Sequence, residues 1–371
     1  MKLGFALVAF SIITLLNGYV LWRGWQALPA SSFSRQLFLI VAIFMFLCMM
    51  GGMIFGHLLP HYFAKVISLT GFTYFIIVAY LFLSFLAVDI VRIANYFIGF
   101  APAGMAVFRF WALITTFAVT FIALIYGNYN FKHPEVVTLN LSVDKPKENK
   151  TLKIVAASDT HLGITIDKGM LKKYVQLIND QHPDIVLLAG DIIDRSIVPV
   201  INQHMDEELR TIKAPLGVYA ISGNHEFYAE TINAAADYLK KAGITYLRDQ
   251  TVLIGKDFYV VGRDDKTNHQ RKELNELVSG LDHSKPIILL DHQPFNLHEA
   301  EENGVDLQIS GHTHNGQFFP GNLLVKKMYQ LGYGYMKKGK TNYYVSSGLG
   351  LWGPQYRIGT QSEIVVINLK Y

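Results

Sequence analysis

Five short apolar runs after residue 150 each lead into residues of types that can bind metal ions. Lys153–Ala157 runs into Ser158-Asp159-Thr160-His161. Ile185–Ala189 runs into Gly190-Asp191-Ile192-Ile193-Asp194, and Val218–Ile221 into Gly223-Asn224-His225-Glu226. Ile287–Leu290 precedes Asp291-His292-Gln293-Pro294, and Leu307–Ile309 precedes Gly311-His312-Thr313-His314. Carboxylate, amide oxygen and imidazole suit manganese, iron or zinc. The single cysteine, Cys48, lies far upstream in an apolar run, so no thiolate site competes. Two such ions about 3.5–4 Å apart neutralise phosphate oxygens, lower the pKa of a bound water and align nucleophile with leaving group. That is what hydrolysis of an anionic phosphoester needs. Each motif alone is a weak signal, but five in order, each after an apolar run, make a strong one.

The elements that must present these residues are legible in outline. Runs this short, bounded by turn residues, suit buried strands. Val136–Val143 alternates apolar and polar residues and reads as another strand, followed by a charged turn, Asp144–Lys150, containing Pro146. Helical patterns lie between, at Gly169–Asp180 and at Thr231–Ala242, the latter closed by Gly243. Strands alternating with helices imply an α/β domain. In such sheets, sites form at the carboxyl ends of strands.

The ordered set SDTH, GDIID, GNHE, DHQP and GHTH resembles the calcineurin-like metallophosphoesterase superfamily. The resemblance covers 134–371. The ending Tyr344–Glu363 is similar to the bacterial branch that is exported or membrane-anchored, and to animal transmembrane proteins carrying this domain. The resemblance implies a β-sandwich flanked by helices, with two divalent ions above one edge: manganese first, zinc or iron as alternatives. By motif, Asp159, His161 and His314 match the ligands of one metal and Asn224, His292 and His312 those of the other. Asp191 matches the bridging carboxylate. His225 matches a non-ligand histidine that contacts phosphate and protonates the leaving oxygen. Asp194 is expected to orient a ligand or His225.

The first third of the chain is different in kind. The whole sequence is 51% hydrophobic and 17% charged, and the excess lies before residue 130. Spanning a bilayer takes roughly 20 apolar residues in a helix. Four runs qualify: Leu3–Leu21, Leu37–Leu59, Ile67–Val91 and Phe108–Tyr126. The expected organisation is a four-helix transmembrane region over 1–130 and a metallophosphoesterase domain over 134–371. Asp89 is the one acid inside a span, with Arg92 a helical turn away as its expected partner. Arg23, Arg35, Arg92 and Arg109 in the first and third connections favour a cytoplasmic location for those loops, which puts the catalytic domain outside the cytoplasm. A formal net charge of +4 gives no reason to expect nucleic acid as a partner.

Two further features stand beside the motifs. Arg357, in a Gly/Pro-rich turn, is expected either to pair with a substrate phosphate or to form an ion pair with Glu363. Leu323–Lys340 mixes Lys326, Lys327, Lys337 and Lys338 with tyrosines and Met336, which suits an anionic headgroup or a membrane surface, or else a solvated hairpin. The leading expectation is hydrolysis of a phosphodiester or pyrophosphate of an envelope or lipid-linked substrate. One alternative is a cytoplasmic-facing UDP-diacylglucosamine-type pyrophosphatase. An alternative of another class is a non-catalytic membrane receptor or scaffold for a phosphorylated ligand, which needs a broken metal or acid position. The sequence leaves the oligomeric state open.

Overall fold

Strand β2 (Thr151–Ala157) buries both of its faces, Ile154 and Ala156 towards one core, Val155 and Ala157 towards another. This is the period-two signature of a strand between two packed layers. The computed structural model describes residues 3–30, 32–100, 105–145, 150–228 and 232–371. Pro146 of the expected turn and Thr231 of the expected helix lie outside them. Two compact units emerge: Met1–Tyr126 with Gly353–Gln355, and Gly127–Trp352 with Tyr356–Tyr371.

The second unit holds twelve described strands: β1 (Glu135–Ser142), β2, β3 (Ile185–Leu188), β4 (Val218–Ile221), β5 (Thr245–Leu247), β6 (Gln250–Ile254), β7 (Phe258–Gly262), β8 (Ile287–Leu290), β9 (Leu307–Ser310), β10 (Gly334–Lys338), β11 (Thr341–Val345) and β12 (Glu363–Lys370). They form two six-stranded mixed sheets, ordered β1-β12-β2-β3-β4-β5 and β10-β11-β9-β8-β7-β6. Ile154, Leu187 and Ile367 of the first sheet share one buried cluster with Val260, Ile288 and Leu307 of the second. The first sheet's other face is covered by helices Lys168–Asn179 and Ile232–Lys241 through Leu171, Val175, Ala235 and Leu239. The first of these helices starts where Asp167 accepts a hydrogen bond from Met170 N, which satisfies one of the turn's unpaired donors. On the second sheet, Leu274, Leu277 and Ala300 cover Ile287 and Leu289. The strands that carry the motifs run parallel at the middle of each sheet, β2-β3-β4 in one and β9-β8 in the other. Their carboxyl ends therefore share one edge.

The first unit is built from helices α1 (Leu3–Ala27), α2 (Ser32–Phe55), α3 (His61–Ile98) and the start of α4 (Met105–Lys132). Among the described residues, three segments are long and apolar enough to cross a membrane: Phe33–Gly52, His61–Ile98 and Ala106–Lys132. The third expected run, Ile67–Val91, underestimates its helix. At 1.5 Å per residue the 38 residues of α3 exceed a ~30 Å hydrocarbon core. Inside the run, Asp89 pairs with Arg92 at 3.1 Å and with Arg23 at 2.5 Å, and accepts from Tyr19. Gly71 lets α3 approach α2 closely, since a Cβ there would lie 2.4 Å from Met49 Cα. Leu15, Ile40, Phe44 and Ile122 point outwards, an exposed apolar surface suited to lipid.

Candidate metal centre

Turns after three strands, β2, β3 and β9, hold motif residues in backbone conformations that non-glycine residues seldom adopt. Asp159, His161, Asp191, His312 and His314 have φ of 54°, 47°, 51°, 72° and 49°. Left-handed residues of this kind cost on the order of 1–3 kcal/mol each and cluster at functional sites. Two glycines make the crowding possible. A Cβ on Gly223 would lie 2.1 Å from Asp191 Oδ1, and one on Gly311 2.3 Å from Asp159 Oδ2.

The side chains so placed converge. Asp159, His161 and His314 bring one donor atom each within 4.8 Å of one another, and so do Asp191, His292 and His312. Asp191 reaches towards both sets: its Oδ2 is 3.2 Å from His292 Nε2 and 3.8 Å from His161 Nε2. Asn224 Oδ1 meets His312 Nδ1 at 2.8 Å, while its amide nitrogen donates to Tyr228 and so turns the oxygen inward. All seven expected ligands thus lie in one buried cluster.

The donor set fits cations. His161 Nε2 and His314 Nε2 face each other at 3.2 Å, and the Nδ1 atoms of both rings are buried without a partner. Burial first, then the charge of His225, holds His161 well below its ordinary value; burial and Arg357 do the same to His314. Burial and His292 hold His312 down to about 4. Neutral imidazoles present lone pairs, the form a metal needs. His292 is fixed through Nδ1 to the Ala189 carbonyl at 2.7 Å, which aims a buried Nε2 at the Asp191 carboxylate. Against the pull of burial, Asp191 raises His292 well above its ordinary value. Two acceptors that close need a positive charge between them, whether proton or metal ion.

Asp194 and His225 stand at the edge of this cluster. His225 Nδ1 meets Asp194 Oδ1 at 2.8 Å, and His225 N donates to Asp191 Oδ1. Burial lowers the imidazole's pKa, but the Asp194 hydrogen bond and the charges of Asp191, Asp194 and Glu226 outweigh it and leave it raised. His225, His161 and Asp191 also fall within metal-binding distance of one another. With Nδ1 committed to Asp194, the other ring nitrogen of His225 remains for a substrate.

Arg357 corrects an expectation. It is fully buried and donates to the carbonyls of His314, Ser347, Gly348 and Gly350 and to Ser362 Oγ. All three guanidinium nitrogens donate to the chain, and the fully buried group is turned to the backbone and not to a phosphate. Nor does it pair with Glu363, whose carboxylate accepts from Tyr333, Tyr344 and Ser347 N. Arg357 braces the His314 turn from behind.

Glu226 was missed in the sequence although it closes the GNHE motif. Completely buried, it accepts from Ile193 N and Gly223 N, which ties the Asp191 and Asn224 turns together. Burial and the Asp191 charge push it up to about 8 against those two donors. Trp352 was also missed. Its ring lies 6.3 Å from His225 and beneath the Arg195 guanidinium, and nothing in the sequence near residue 352 signals this.

Residues 152–316 match the calcineurin-like phosphoesterase family. A metallophosphoesterase of Campylobacter jejuni is 36% identical over 257 residues, 67% of each chain. One of Aquifex aeolicus is 31% identical over 263 residues, 67% of this chain and 98% of the relative. A transmembrane protein with metallophosphoesterase domain from Danio rerio is 30% identical over 287 residues, 73% of this chain and 65% of its own. The chain thus spans about two thirds of the Campylobacter and Danio relatives.

Proposed function

Since the chain belongs to the calcineurin-like metallophosphoesterases, a dimetal-dependent family of phosphoester hydrolases, we propose that it hydrolyses a phosphodiester or pyrophosphate at a membrane. The observation that carries this reading is Asp191, one carboxylate shared between two imidazole-rich clusters. In this proposal Asp159, His161 and His314 would hold one divalent ion, Asn224, His292 and His312 would hold the other, and Asp191, which faces both groups, would serve the two. Manganese is the first candidate, with zinc or iron as alternatives. The ions would supply charge neutralisation of the phosphate and an acidified water.

The chain's own residues do the rest. Ala189 and Tyr228 fix the orientation of His292 and Asn224. Glu226 and Arg357 hold the turns that carry Asp191 and His314. Asp194 keeps His225 protonated, and the free nitrogen of that imidazolium donates its proton to the departing oxygen.

The substrate is proposed to be lipid-linked or part of the cell envelope, because a membrane-spanning segment carries the domain. We further propose four spans, 3–21, 37–59, 67–91 and 108–126, with the catalytic domain outside the cytoplasm. A C-terminal topology reporter tests this orientation, and activity of a cytoplasm-restricted reporter at that position would reverse it. Purified full-length protein with added manganese should cleave bis-p-nitrophenyl phosphate, and Asp191→Ala should abolish the cleavage. A wild type inert with manganese, zinc and iron alike would defeat the proposal.

A further inference from the structure

Helix Gly321–Met328 buries no residue. Leu324 and Met328 lie one turn apart and Leu323 flanks them, with Lys327 projecting between Leu323 and Leu324; the three apolar residues are 62%, 71% and 55% exposed, and the preceding Phe319 is 51% exposed. Lys326 and Lys327 stand in the last turn. Exposed leucines and a methionine with one lysine among them and another beside them, on a short helix, are unfavourable in water and suit the headgroup boundary of a bilayer, where the long lysine stems reach the polar layer.

Within the second unit, this helix lies near the last residues of α4, Gly127–Lys132. Ala106–Lys132 is apolar enough to span, and Tyr129 and Lys132 near its end have the character of interfacial residues. The final turns of α4 are tied to the loop 357–361. Gly127 O accepts from Arg357 N, Asn130 donates to Arg357 O, and Gln361 donates to the carbonyls of Asn130 and His133. That same loop pairs with the segment entering the exposed helix: Phe319 N donates to Ile358 O at 2.8 Å, and Thr360 Oγ1 to Gln317 O. One hydrogen-bonded layer therefore separates the end of α4 from the start of the helix.

The helix is equally close to the metal centre. Gly316 packs so tightly on its first turn that a Cβ would lie 2.2 Å from Asn322 N, and Gly316 ends the turn that begins at His314. Thr313, between His312 and His314, donates through its hydroxyl to Gly332 O on the far side of the helix.

We propose that Phe319 and the helix Gly321–Met328 rest on the bilayer surface beside the metal centre, so that the site takes phosphoesters whose apolar part stays in the membrane. Lys326 and Lys327 favour an anionic leaflet. The substrate class rests on the phosphoesterase reading above; the membrane contact does not.

The test uses full-length protein in vesicles of phosphatidylcholine and phosphatidylglycerol. In a Cys48→Ala background, an environment-sensitive fluorophore is placed at Met328→Cys, and at Lys256→Cys in the β6–β7 turn, at the other end of its sheet from the metal-bearing edge. The label at 328 should shift to the blue and be quenched by brominated lipid, while the label at 256 should do neither. Equal, water-like signals from both positions overturn the membrane contact. Separately, Leu323→Gln, Leu324→Gln and Met328→Gln are combined. The ratio of phosphatidylglycerol cleavage to bis-p-nitrophenyl phosphate cleavage should fall at least ~10-fold. An unchanged ratio overturns the substrate class. A wild type that cleaves neither substrate overturns the hydrolase reading and the substrate class with it, while the fluorophores still decide the membrane contact.

Discussion

Replacing Asp194 by asparagine removes one charge from the edge of the metal centre and leaves the shape nearly intact. Asp194 Oδ1 lies 2.8 Å from His225 Nδ1, and His225 is buried. The net effect of its surroundings is a raised imidazole pKa. A group raised in this way keeps its proton to higher pH, so the acid form that protonates the leaving oxygen is lost as pH rises through that value. A hydrogen bond to a charged group contributes about 1.5–3 kcal/mol. The Asp194 side chain is 29% exposed, so solvent screens it and the lower figure applies. At about 1.4 kcal/mol per pKa unit, Asp194→Asn should lower the pKa of His225 by about one unit. The assay is a kcat–pH profile of manganese-loaded protein on a phosphodiester with a poor alkoxide leaving group. The alkaline limb should move about one pH unit towards acid. A p-nitrophenyl ester, whose leaving group departs without a proton, should show a much smaller loss of kcat. An alkaline limb that stays in place, or moves to higher pH, refutes the assignment of His225 as the acid held by Asp194.

Other substitutions separate the roles of neighbouring residues. Asp191→Ala should abolish activity and lower bound metal from two ions per chain to one or none, read by elemental analysis of the purified protein. Glu226→Ala strands the buried Ile193 and Gly223 amides. At ~1–3 kcal/mol for each unpaired group, and about 2–4 °C per kcal/mol for a domain of this size, the Tm of that transition should fall by roughly 4 °C or more in a thermal melt. Gly311→Ala forces a methyl group into Asp159 and should weaken metal affinity at least ~10-fold by competition with a chelator. Arg357→Met should lower stability and metal retention while leaving KM for a soluble diester within about twofold, because the guanidinium faces the chain and not the substrate; a large rise in KM alone would restore the phosphate-binding role.

The motif residues were legible because metal chemistry restricts residue types severely and because each sits directly after an apolar run. The strands before them were legible for the same reason: β3 and β8 are buried on both faces and read as continuous apolar stretches. β10 was not, because Gly334–Lys338 is a half-exposed, lysine-bearing strand that pairs only with β11. Likewise β5 is three residues long, too short to show a period.

The sequence alone determined the chemistry on offer and the split between a strongly apolar region and a globular part, since both rest on composition and local order along the chain. Tertiary structure decided what each isolated polar residue does. In sequence Arg357 is as plausible a substrate contact as a structural one, and Glu226 carries no signal of its role. Only the fold surrounds the first with carbonyls and the second with amides, because hydrogen-bond partners separated by dozens of residues are chosen by packing and not by neighbours in the chain. The same holds for Asp191, whose position between two clusters depends on the two sheets bringing their strand ends together.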